Sequence, residues 1–510
     1  MSTGGVFQVV TNDGIQDKLI MQTDKLREII KTIGCRRLVE LRKKFPGVSD
    51  KELVKTHDSW IPSLQAIERS HIIYVHNTFK PFVSLAFEYR KTGPTGGSTP
   101  VLGNSMTFNM PIFGEFVNDA VVNLKLTGLR AIQPQDKVRY VEMIGHRLFK
   151  KTTLKLSGQE LDSYGSEKYN IHWQYKVPPG KETGYLRNIG QEIPREGLLT
   201  ADPAVDEVRE YRYFGDGPQT FKTTQSTLEL WIPLLFWFKD IHNSLPGFLF
   251  PTNQTEVVID LETAANLVAY SNYSGTTGDV FNAPTIRDCW LYANNIYLLP
   301  EIHKIFMSKF GFQLIRVSRN QQNVVLTASS GSILLHDLKW PIETIYVAFR
   351  PISNLANSRK WHRNSIVDEI QVKEAVVTGV ATIQVNNAVY YNEKQVVSTL
   401  ELQAGTIQMF PALPPAFYNS YLPYQFGESL KTPKDLGWFM FNFNVNPGVY
   451  QPSGHFNASQ ERELYLLYNS DINSSNQYHI RSDNPVECII HAECINFLIV
   501  DDNTAVLRFT

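Results

Sequence analysis

The sequence predicts an all-β protein with two consecutive domains of antiparallel sheet, preceded by a short helical region. Three observations lead to this prediction. Apolar and polar residues alternate with period two over most of the chain from Phe79 onward, as in strands with one buried face. Aromatic residues make up 12% of the 510 residues, and strands favour them. The 31 Gly and 27 Pro are scattered, which places turns between many short strands.

The charge balance narrows the possible functions. Lys and Arg number 49 against 50 Asp and Glu, so the net charge is −1. A dedicated nucleic-acid binder usually carries a basic excess, so we expect no direct contact with nucleic acid. A near-zero charge also removes the repulsion that keeps copies of a protein apart, and it permits dense self-assembly.

The chain shows no targeting or membrane segment. Residues 1–14 have neither a basic stretch nor an apolar core, so no signal peptide is expected. No run reaches 18 apolar residues, and the chain is not expected to span a membrane. The four cysteines are too few for a disulfide scaffold and predict a reduced, cytosolic protein with buried thiols.

The helical region covers residues 1–70. Its first helix is predicted by helical spacing of apolar residues, and Gly34 is expected to kink or end it. Ser49 followed by Glu52 forms a capping-box pattern that opens a second helix. Pro62 predicts the start of a short third helix. The apolar residues of the first helix are Leu26, Ile29, Ile30, Ile33, Leu38 and Leu41.

The first helix is strongly basic. Between Lys25 and Lys44 there are eight basic and two acidic residues. This face is either an anchor for an acidic partner or membrane surface, or a solvated helix face. The sequence leaves both interpretations open, because basic amphipathic helices serve in both roles.

Strands of the first β domain follow between residues 71 and 299. In each of them, every second residue is apolar, which places those residues on one face. The sets are Val83, Leu85, Phe87 and Tyr89; Met106, Phe108, Met110 and Ile112; Val122, Leu124 and Leu126; Leu154 and Leu156; Leu228, Leu230 and Ile232; Val257, Ile259 and Leu261; and Trp290, Tyr292 and Ile296. The long segment 157–222 is expected to be a loop, which favours Greek-key or jelly-roll crossings over plain hairpins.

A short helical stretch, residues 300–312, separates this domain from a second β domain at residues 313–510. We expect strands there at residues 313–317, 323–327, 342–349, 375–384, 396–402, 438–445, 463–468 and 488–500. Two domains of this size fit the range of single β-sandwiches.

The sequence shows no clear catalytic or metal-binding motif. Phosphate loops, dinucleotide fingerprints, H-E-x-x-H and G-x-S-x-G are absent, and residues 215–220 are typical of a turn. Cys488, His491 and Cys494 are close in sequence, but period two places His491 on the opposite strand face, which disfavours metal binding. His303 and His455 are more typical of hydrogen-bonded histidines than of catalytic ones. We therefore predict no catalytic, cofactor-binding or metal-binding residues.

Two further patterns have structural interpretations. Asp501 with Asp502 predicts a hairpin turn before the last strand. Four sequons occur at Asn253, Asn272, Asn457 and Asn473. Without a signal peptide we expect them to be chance occurrences.

Four sequence blocks resemble the major capsid proteins of nucleocytoplasmic large DNA viruses. Residues 156–164 (LSGQELDSY) are similar to a strand–turn–strand signature of that family's first jelly roll, and residues 230–238 (LWIPLLFWF) resemble the apolar strand that follows. Residues 292–306 resemble the strand and helical linker between the two rolls. Residues 450–457 (YQPSGHFN) are similar to a motif of the second roll.

Within this family the sequence resembles the African swine fever virus type. The shared blocks run in order from the first residues to the last, which makes them specific together. They are residues 4–5, 12–14, 79–81, 183–185, 190–192, 217–220, 300–303, 338–343, 431–433 and 505–508. The chain is shorter than that type, and the missing length is expected in loops of the first jelly roll.

The resemblance implies a double jelly roll of two consecutive antiparallel eight-stranded jelly rolls on a helical base. It implies a structural major capsid protein, made in the host cytoplasm, that forms homotrimers and tiles the outer shell of the virion. Implied partners are other copies of the chain, minor capsid and penton proteins and, through the basic N-terminal region, the inner viral membrane. No enzyme activity and no cofactor are expected.

Two alternatives stay open at this stage. The same fold could serve as a scaffold that shapes the membrane of the immature virion, as the poxvirus relatives imply. A jelly-roll enzyme or glycan-binding protein would need clustered His and acidic ligands on adjacent strands, and the sequence shows no such cluster.

One segment is a candidate for contact between subunits. The proline-rich residues 411–423 predict an extended connection, and a rigid loop within one subunit is the alternative.

Overall fold

A computed structural model gives the fold of the chain. It describes residues 23–56, 85–97, 99–193, 195–198, 209–212, 217–250, 252–273, 275, 277–298, 312–378, 381–426, 430–470, 480–501 and 504–509. The chain divides into two compact units, Met1–Glu88 with Ile296–Ser308, and Tyr89–Asn295 with Lys309–Thr510. The predicted helix at Pro62 and the helical linker lie outside the described residues, except that Phe312 begins a strand.

The smaller unit contains the predicted N-terminal helices. Helix α1 spans Thr23–Lys44 and helix α2 spans Asp50–Thr56. Helix α1 continues through Gly34, so the expected end at this residue is not observed. Helix α2 begins directly after Ser49, as the capping-box pattern predicted. Arg42 of α1 donates from Nε to Asp50 Oδ1 at 2.7 Å and connects the two helices.

Most of the first roll lies in the larger unit, and its core is a pair of four-stranded antiparallel sheets. One sheet has the order β1-β15-β3-β10 and the other has the order β2-β12-β6-β7. The strands are β1 Leu85–Thr92, β2 Ser105–Asn109, β3 Phe116–Leu126, β4 Arg130–Ala131, β5 Lys137–Tyr140, β6 Phe149–Leu156, β7 Gln159–Gly165, β8 Arg195–Leu198, β9 Arg209–Arg212, β10 Leu228–Pro233, β11 Leu245–Pro246, β12 Thr255–Leu261, β13 Val268–Ser271, β14 Phe281–Asn282 and β15 Ile286–Leu298.

The second roll repeats this plan. Its sheets have the orders β16-β26-β18-β23 and β17-β25-β21-β22. The strands are β16 Phe312–Leu326, β17 Ser330–Leu334, β18 Pro341–Pro351, β19 Ile366–Thr378, β20 Ala381–Lys394, β21 Thr399–Ala404, β22 Ile407–Leu413, β23 Trp438–Asn442, β24 Phe456–Asn457, β25 Leu464–Asn469, β26 Val486–Asp501 and β27 Thr504–Leu507.

The two strand orders establish the fold. If the eight main strands of each roll are counted along the chain, both rolls pair them as 1-8-3-6 and 2-7-4-5. This is the jelly-roll order, in which crossings between two facing sheets bury one face of each sheet. The predicted double jelly roll is therefore confirmed. Buried hydrophobic side chains of both rolls form one continuous cluster.

Short helices occupy the connections. The α-helices are α3 Ile144–Leu148, α4 Glu167–Ile171, α5 Glu182–Asn188, α6 Ala264–Leu267, α7 Ile352–Ala356 and α8 Leu422–Gln425. Two π-helical turns lie at His172–Lys176 and Phe417–Tyr421, and 3-10 turns lie at Pro179–Lys181, Trp237–Lys239, Ile241–Asn243 and Ala458–Gln460. Within the described residues, no helix is both long and apolar enough to cross a membrane.

Several strand predictions are corrected by the structure. The two strands expected at residues 313–327 are one strand, β16, because a bulge between Gln321 and Val324 absorbs the break in alternation. The strand expected at 375–384 is a hairpin of β19 and β20, in which Thr378 pairs with Ala381. The segment 157–222 is not a single loop, since β7 pairs with β6 directly after a tight turn at Ser157 and Gly158.

Alternation identified shared faces but not always the buried one. In β1 the apolar residues Leu85, Phe87 and Tyr89 are exposed, whereas Ala86 is buried. In β15 the core side chains are Cys289, Leu291 and Ala293, while Trp290 and Tyr292 lie on the partly exposed face. The first roll therefore carries aromatic side chains on its outer sheet face, which is the opposite of the expected arrangement.

The proline-rich segment 411–423 is also different from the prediction. Only residues 411–413 are extended, as the end of β22, whereas the π-helical turn Phe417–Tyr421 runs directly into helix α8. Pro423 is one of the first two residues of α8.

Candidate functional site

The two rolls meet where a segment of the first crosses the outer face of the second. We call residues 166–177 the first crossing segment; it follows β7 and contains α4 and the π-helical turn His172–Lys176. Tyr175 of this segment packs on Tyr346 of β18, with ring centroids 4.9 Å apart. Asn170 Nδ2 donates to the backbone oxygen of His362 at 2.7 Å. The segment is thus held by the second roll as well as by its own.

Strand β18 is buried on both faces because the first crossing segment lies on its outer face. All of its residues are buried, although a strand with one wet face would alternate. Ile345, Val347 and Phe349 belong to the hydrophobic core. On the opposite face, Tyr346 and Arg350 are buried under the first crossing segment. The continuous apolar run at residues 345–349 is the sequence signal that could have indicated two covered faces.

Arg350 is the central charge of the contact between the rolls. Its guanidinium lies 3.0 Å from Glu167 of the first crossing segment and 2.6 Å from Glu487 of β26. Burial by itself would lower the pKa of Arg350, but the two carboxylates outweigh it and raise the pKa. Buried charges that are paired and hydrogen-bonded in this way fix one relative arrangement of their supports.

A second ion pair lies further along the segment. Lys176 binds Glu493 of β26. Burial alone would raise the pKa of Glu493, whereas Lys176 and neighbouring cationic groups lower it to about 2. Lys168 donates to the Ser318 hydroxyl of β16, and burial lowers the pKa of this amine.

Asp162 supports the contact from β7. Its carboxylate is fully buried and accepts a hydrogen bond from the backbone N–H of Ser318 at 2.9 Å. Arg319 lies 3.9 Å away, while burial raises the pKa of the carboxyl group. Asp162 belongs to the sequence block 156–164, so this block contains a residue that connects the rolls.

Trp173 of the first crossing segment contacts a further part of the second roll. The Nζ atoms of Lys431 and Lys434 lie 4.5 and 5.4 Å from the Trp173 ring centroid. Both lysines pair with Glu182, at 2.8 and 2.5 Å. Gln174 Oε1 accepts hydrogen bonds from the backbone N–H groups of Lys434 and Asp435. Cation–π contacts and ion pairs thus extend the polar contact along the second roll.

Two cavities lie at this boundary, of about 720 and 250 Å³. Arg147, Glu167, Arg350 and Glu487 line the larger one. Lys168, His172, Lys239 and Glu493 are among those that line the smaller one. Cations and carboxylates line both cavities, so the cavities are part of the same charged contact.

Buried histidines surround the contact. Burial lowers the pKa of His146 and His491 to about 3. Burial, together with nearby cations, also lowers the pKa of His172 and His362 well below the ordinary value. These rings are therefore neutral at pH 7 and serve as hydrogen-bonding core side chains.

The residues considered as metal ligands do not form a site. Cys488 and Cys494 are buried, and His491 Nδ1 is 2.6 Å from Asn320 Oδ1. In the part of the chain that the structure describes, no three His, Cys, Asp or Glu side chains are grouped so as to hold a metal ion. Cys35 is exposed, so the expectation of buried thiols is wrong for this residue.

The other residues considered from the sequence are dispersed. His455 is exposed after Gly454, while His303 lies outside the described residues. Asp501 pairs with Thr504, which confirms the predicted hairpin turn, although Asp502 is not described. Of the sequon residues, Asn253 and Asn272 are exposed and Asn457 is half-buried; Asn473 is outside the described residues.

Comparison with known families covers both rolls. A family described as the major capsid protein N-terminus matches residues 87–299. A second, described as the large eukaryotic DNA virus major capsid protein, matches residues 303–510. The chain belongs to the major capsid proteins of large eukaryotic DNA viruses. As a member of this family, the major capsid protein is a structural component of the outer capsid of the virion.

Relatives of this major capsid protein extend over its whole length. It is 26% identical to the hexon protein p72 of African swine fever virus, isolate Tick/Malawi/Lil 20-1/1983, and all of both chains is covered. The same identity is found with the major capsid protein of isolate Warthog/Namibia/Wart80/1980. The alignments run over 670 positions, so these relatives contain insertions that the 510-residue chain lacks.

Solved structures agree with these relationships. The Faustovirus major capsid protein is 27% identical with a TM-score of 0.71, covering 96% of this major capsid protein and all of that chain. The PBCV-1 virus capsid protein is 16% identical with a TM-score of 0.60, over 86% of this chain and all of that one. The second likeness supports the double jelly roll fold.

Proposed function

We propose that this major capsid protein forms homotrimers, and that these trimers are the pseudo-hexagonal capsomers of the outer shell. The observation that carries the proposal is the presence of two rolls with one strand order in a single compact unit. Three such chains around a threefold axis present six similar rolls. Their outline is nearly hexagonal and can tile a lattice with equivalent edges.

The contact between the rolls supports this role. The buried Arg350 pairs with the partly buried Glu167 and Glu487, and Lys176 pairs with Glu493, both of them partly buried. Breaking such a pair leaves an uncompensated buried charge, so the rolls resist rotation against each other. A capsomer with a regular outline needs that fixed spacing.

The domain limits belong to the same proposal. Residues 1–70 form the base, 71–299 the first roll, 300–312 the linker and 313–510 the second roll. The family matches end at residue 299 and begin at residue 303, which supports the position of the linker.

The basic helix α1 is proposed to face the particle interior. Arg42, Lys43 and Lys44 form its last turn, and they are exposed. Minor capsid proteins, penton proteins and the anionic inner membrane are the partners proposed for this end. Direct binding of nucleic acid is not part of the proposal, and neither are catalysis and a cofactor.

The mass of the purified protein in solution tests the trimer. Light scattering should give three times 58.1 kDa, and negative-stain images should show hexagonal outlines. A stable monomer at all concentrations would contradict the proposal. If the protein is absent from purified mature particles but present in immature ones, the scaffold role replaces the shell role.

A further inference from the structure

The second roll contains a counterpart of the first crossing segment. In the first roll, β7 is the fifth strand and leads into α4 and a π-helical turn. In the second roll, β22 is the fifth strand and leads into the π-helical turn Phe417–Tyr421 and helix α8. We call residues 414–426 the second crossing segment. The same connection, with the same uncommon turn, is thus built twice.

The second crossing segment is anchored on its inner side. Tyr418 is fully buried, and its hydroxyl oxygen lies 3.0 Å from the backbone oxygens of Leu400 and of Pro411, to either of which it can donate. On the outer side, Tyr421 is 51% exposed and Tyr424 is 78% exposed. A rigid support therefore presents two tyrosines to the surroundings, and such aromatic side chains are frequent anchors of protein interfaces.

The outer face of the first roll is the counterpart of the face that the first crossing segment covers. It corresponds to the buried outer face of the β16-β26-β18-β23 sheet, but here Tyr89, Trp231, Trp290 and Tyr292 are partly exposed. The Trp231 and Tyr292 rings lie 5.3 Å apart across the sheet. Aromatic rings on a half-open sheet face form a rigid apolar surface.

The charges of each crossing segment match those of the sheet face that it covers or is proposed to cover. The first crossing segment carries Glu167, Lys168 and Lys176, and it lies on a face that carries Arg350 and Glu493. The second crossing segment has no charged residue at all. Charged groups on the aromatic face of the first roll already have partners, since Lys91 Nζ lies 4.6 Å from the Trp290 ring centroid and Lys125 pairs with Glu229 at 3.4 Å. An uncharged segment can therefore cover the aromatic rings of this face without adding a charge that lacks a partner.

We propose that the second crossing segment of one subunit packs on the aromatic outer face of the first roll of the neighbouring subunit. It repeats between chains the contact that the first crossing segment makes within a chain. A trimer then closes as a ring of six similar contacts, three within subunits and three between them. This inference rests on the proposed trimer and identifies its interface.

A crosslinking experiment tests the position of the contact. A photoreactive benzoylphenylalanine replaces Tyr424 in the full chain, and light and heavy isotope-labelled copies are mixed before illumination. Light–heavy crosslinks should map to peptides that contain Tyr89, Trp231 or Tyr292. Crosslinks to other surfaces of a trimer, or to the N-terminal segment of the same copy, would overturn the interface and leave the trimer intact.

Two matched double variants test how much this interface contributes to the stability of the trimer. Y421A/Y424A removes the two exposed tyrosines, and Y270A/Y273A removes two others of similar exposure, 53% and 82%. The first variant should raise the concentration at which trimers half-dissociate by roughly tenfold or more, and the second should leave it unchanged. Equal effects of both variants would overturn the interface. If the unsubstituted chain is itself monomeric, the proposed function fails before this test is reached.

Discussion

Arg350 and Glu167 lie 3.0 Å apart, although they belong to different jelly rolls and are 183 residues apart in sequence. Arg350 is buried at the boundary, Glu167 is partly buried, and Glu487 completes the group. The contact explains how two rolls with separate sheets form one compact unit. It also makes the stability of the whole particle subunit depend on a few side chains.

Replacement of Arg350 by Met should destabilise the protein strongly. Glu167 and Glu487 would remain at the boundary without their cation, at a cost of about 3–5 kcal/mol in the free energy of unfolding. Urea denaturation measures the change. Lys151→Met, which breaks the exposed pair with Glu160 on the other sheet of the first roll, is the matched control and should cost less than about 1 kcal/mol. Similar midpoints for the two variants would show that the buried group does not hold the rolls.

Stability should fall in mild acid because of the buried histidines. His146 and His491 have a pKa of about 3 when folded, while an unfolded histidine titrates near 6.5. A folded-state pKa below the unfolded value means that stability is complete above pH 6.5 and decreases as the pH falls toward 3. Each such ring contributes about 1.4 kcal/mol per pH unit within that window.

Urea titrations at pH 7, 6 and 5 measure this slope. His491→Asn should make it shallower by the contribution of one ring. An unaltered slope in His491→Asn would show that this ring is not neutral in the folded protein.

Glu493 should make the stability of the protein depend on pH in a lower range than the histidines do. Its pKa is about 2 in the folded protein, compared with 4.5 for an unfolded glutamate. The stabilisation is present above pH 4.5 and is lost as the pH falls through 2. Glu493→Gln should therefore be less stable than the unsubstituted chain at pH 7. The difference between the two should shrink between pH 4.5 and 2, and a constant difference would contradict the pairing with Lys176.

Gly437 should not accept a side chain. A Cβ atom at this position would overlap the backbone of Asn364, which cannot move aside as a flexible side chain does. Gly437→Ala should destabilise the protein by about 1–3 kcal/mol, as overpacking does. Gly180→Ala is the control, since no atom lies within 4 Å of its added Cβ. Thermal unfolding of both variants measures the difference, and equal melting temperatures would refute the expected overlap.

The sequence by itself determined the fold class and most strands. Period two located β2, β12 and β25, because their alternation follows burial directly. Ordered sequence blocks indicated the capsid family, and the family matches agree with that resemblance. Helices α1 and α2 followed from apolar spacing and capping.

The tertiary structure decided which faces are buried and where the rolls meet. Alternation shows that Trp290 and Tyr292 share a face, but the buried face depends on strands far away in the chain. The pairing of Arg350 with Glu167 and the position of Asp162 beside Ser318 are equally long-range. The first crossing segment was predicted as part of a loop, because its side chains are buried by the second roll and not by a periodicity of its own. Local patterns determine the strands, whereas contacts between distant residues determine how the rolls are joined.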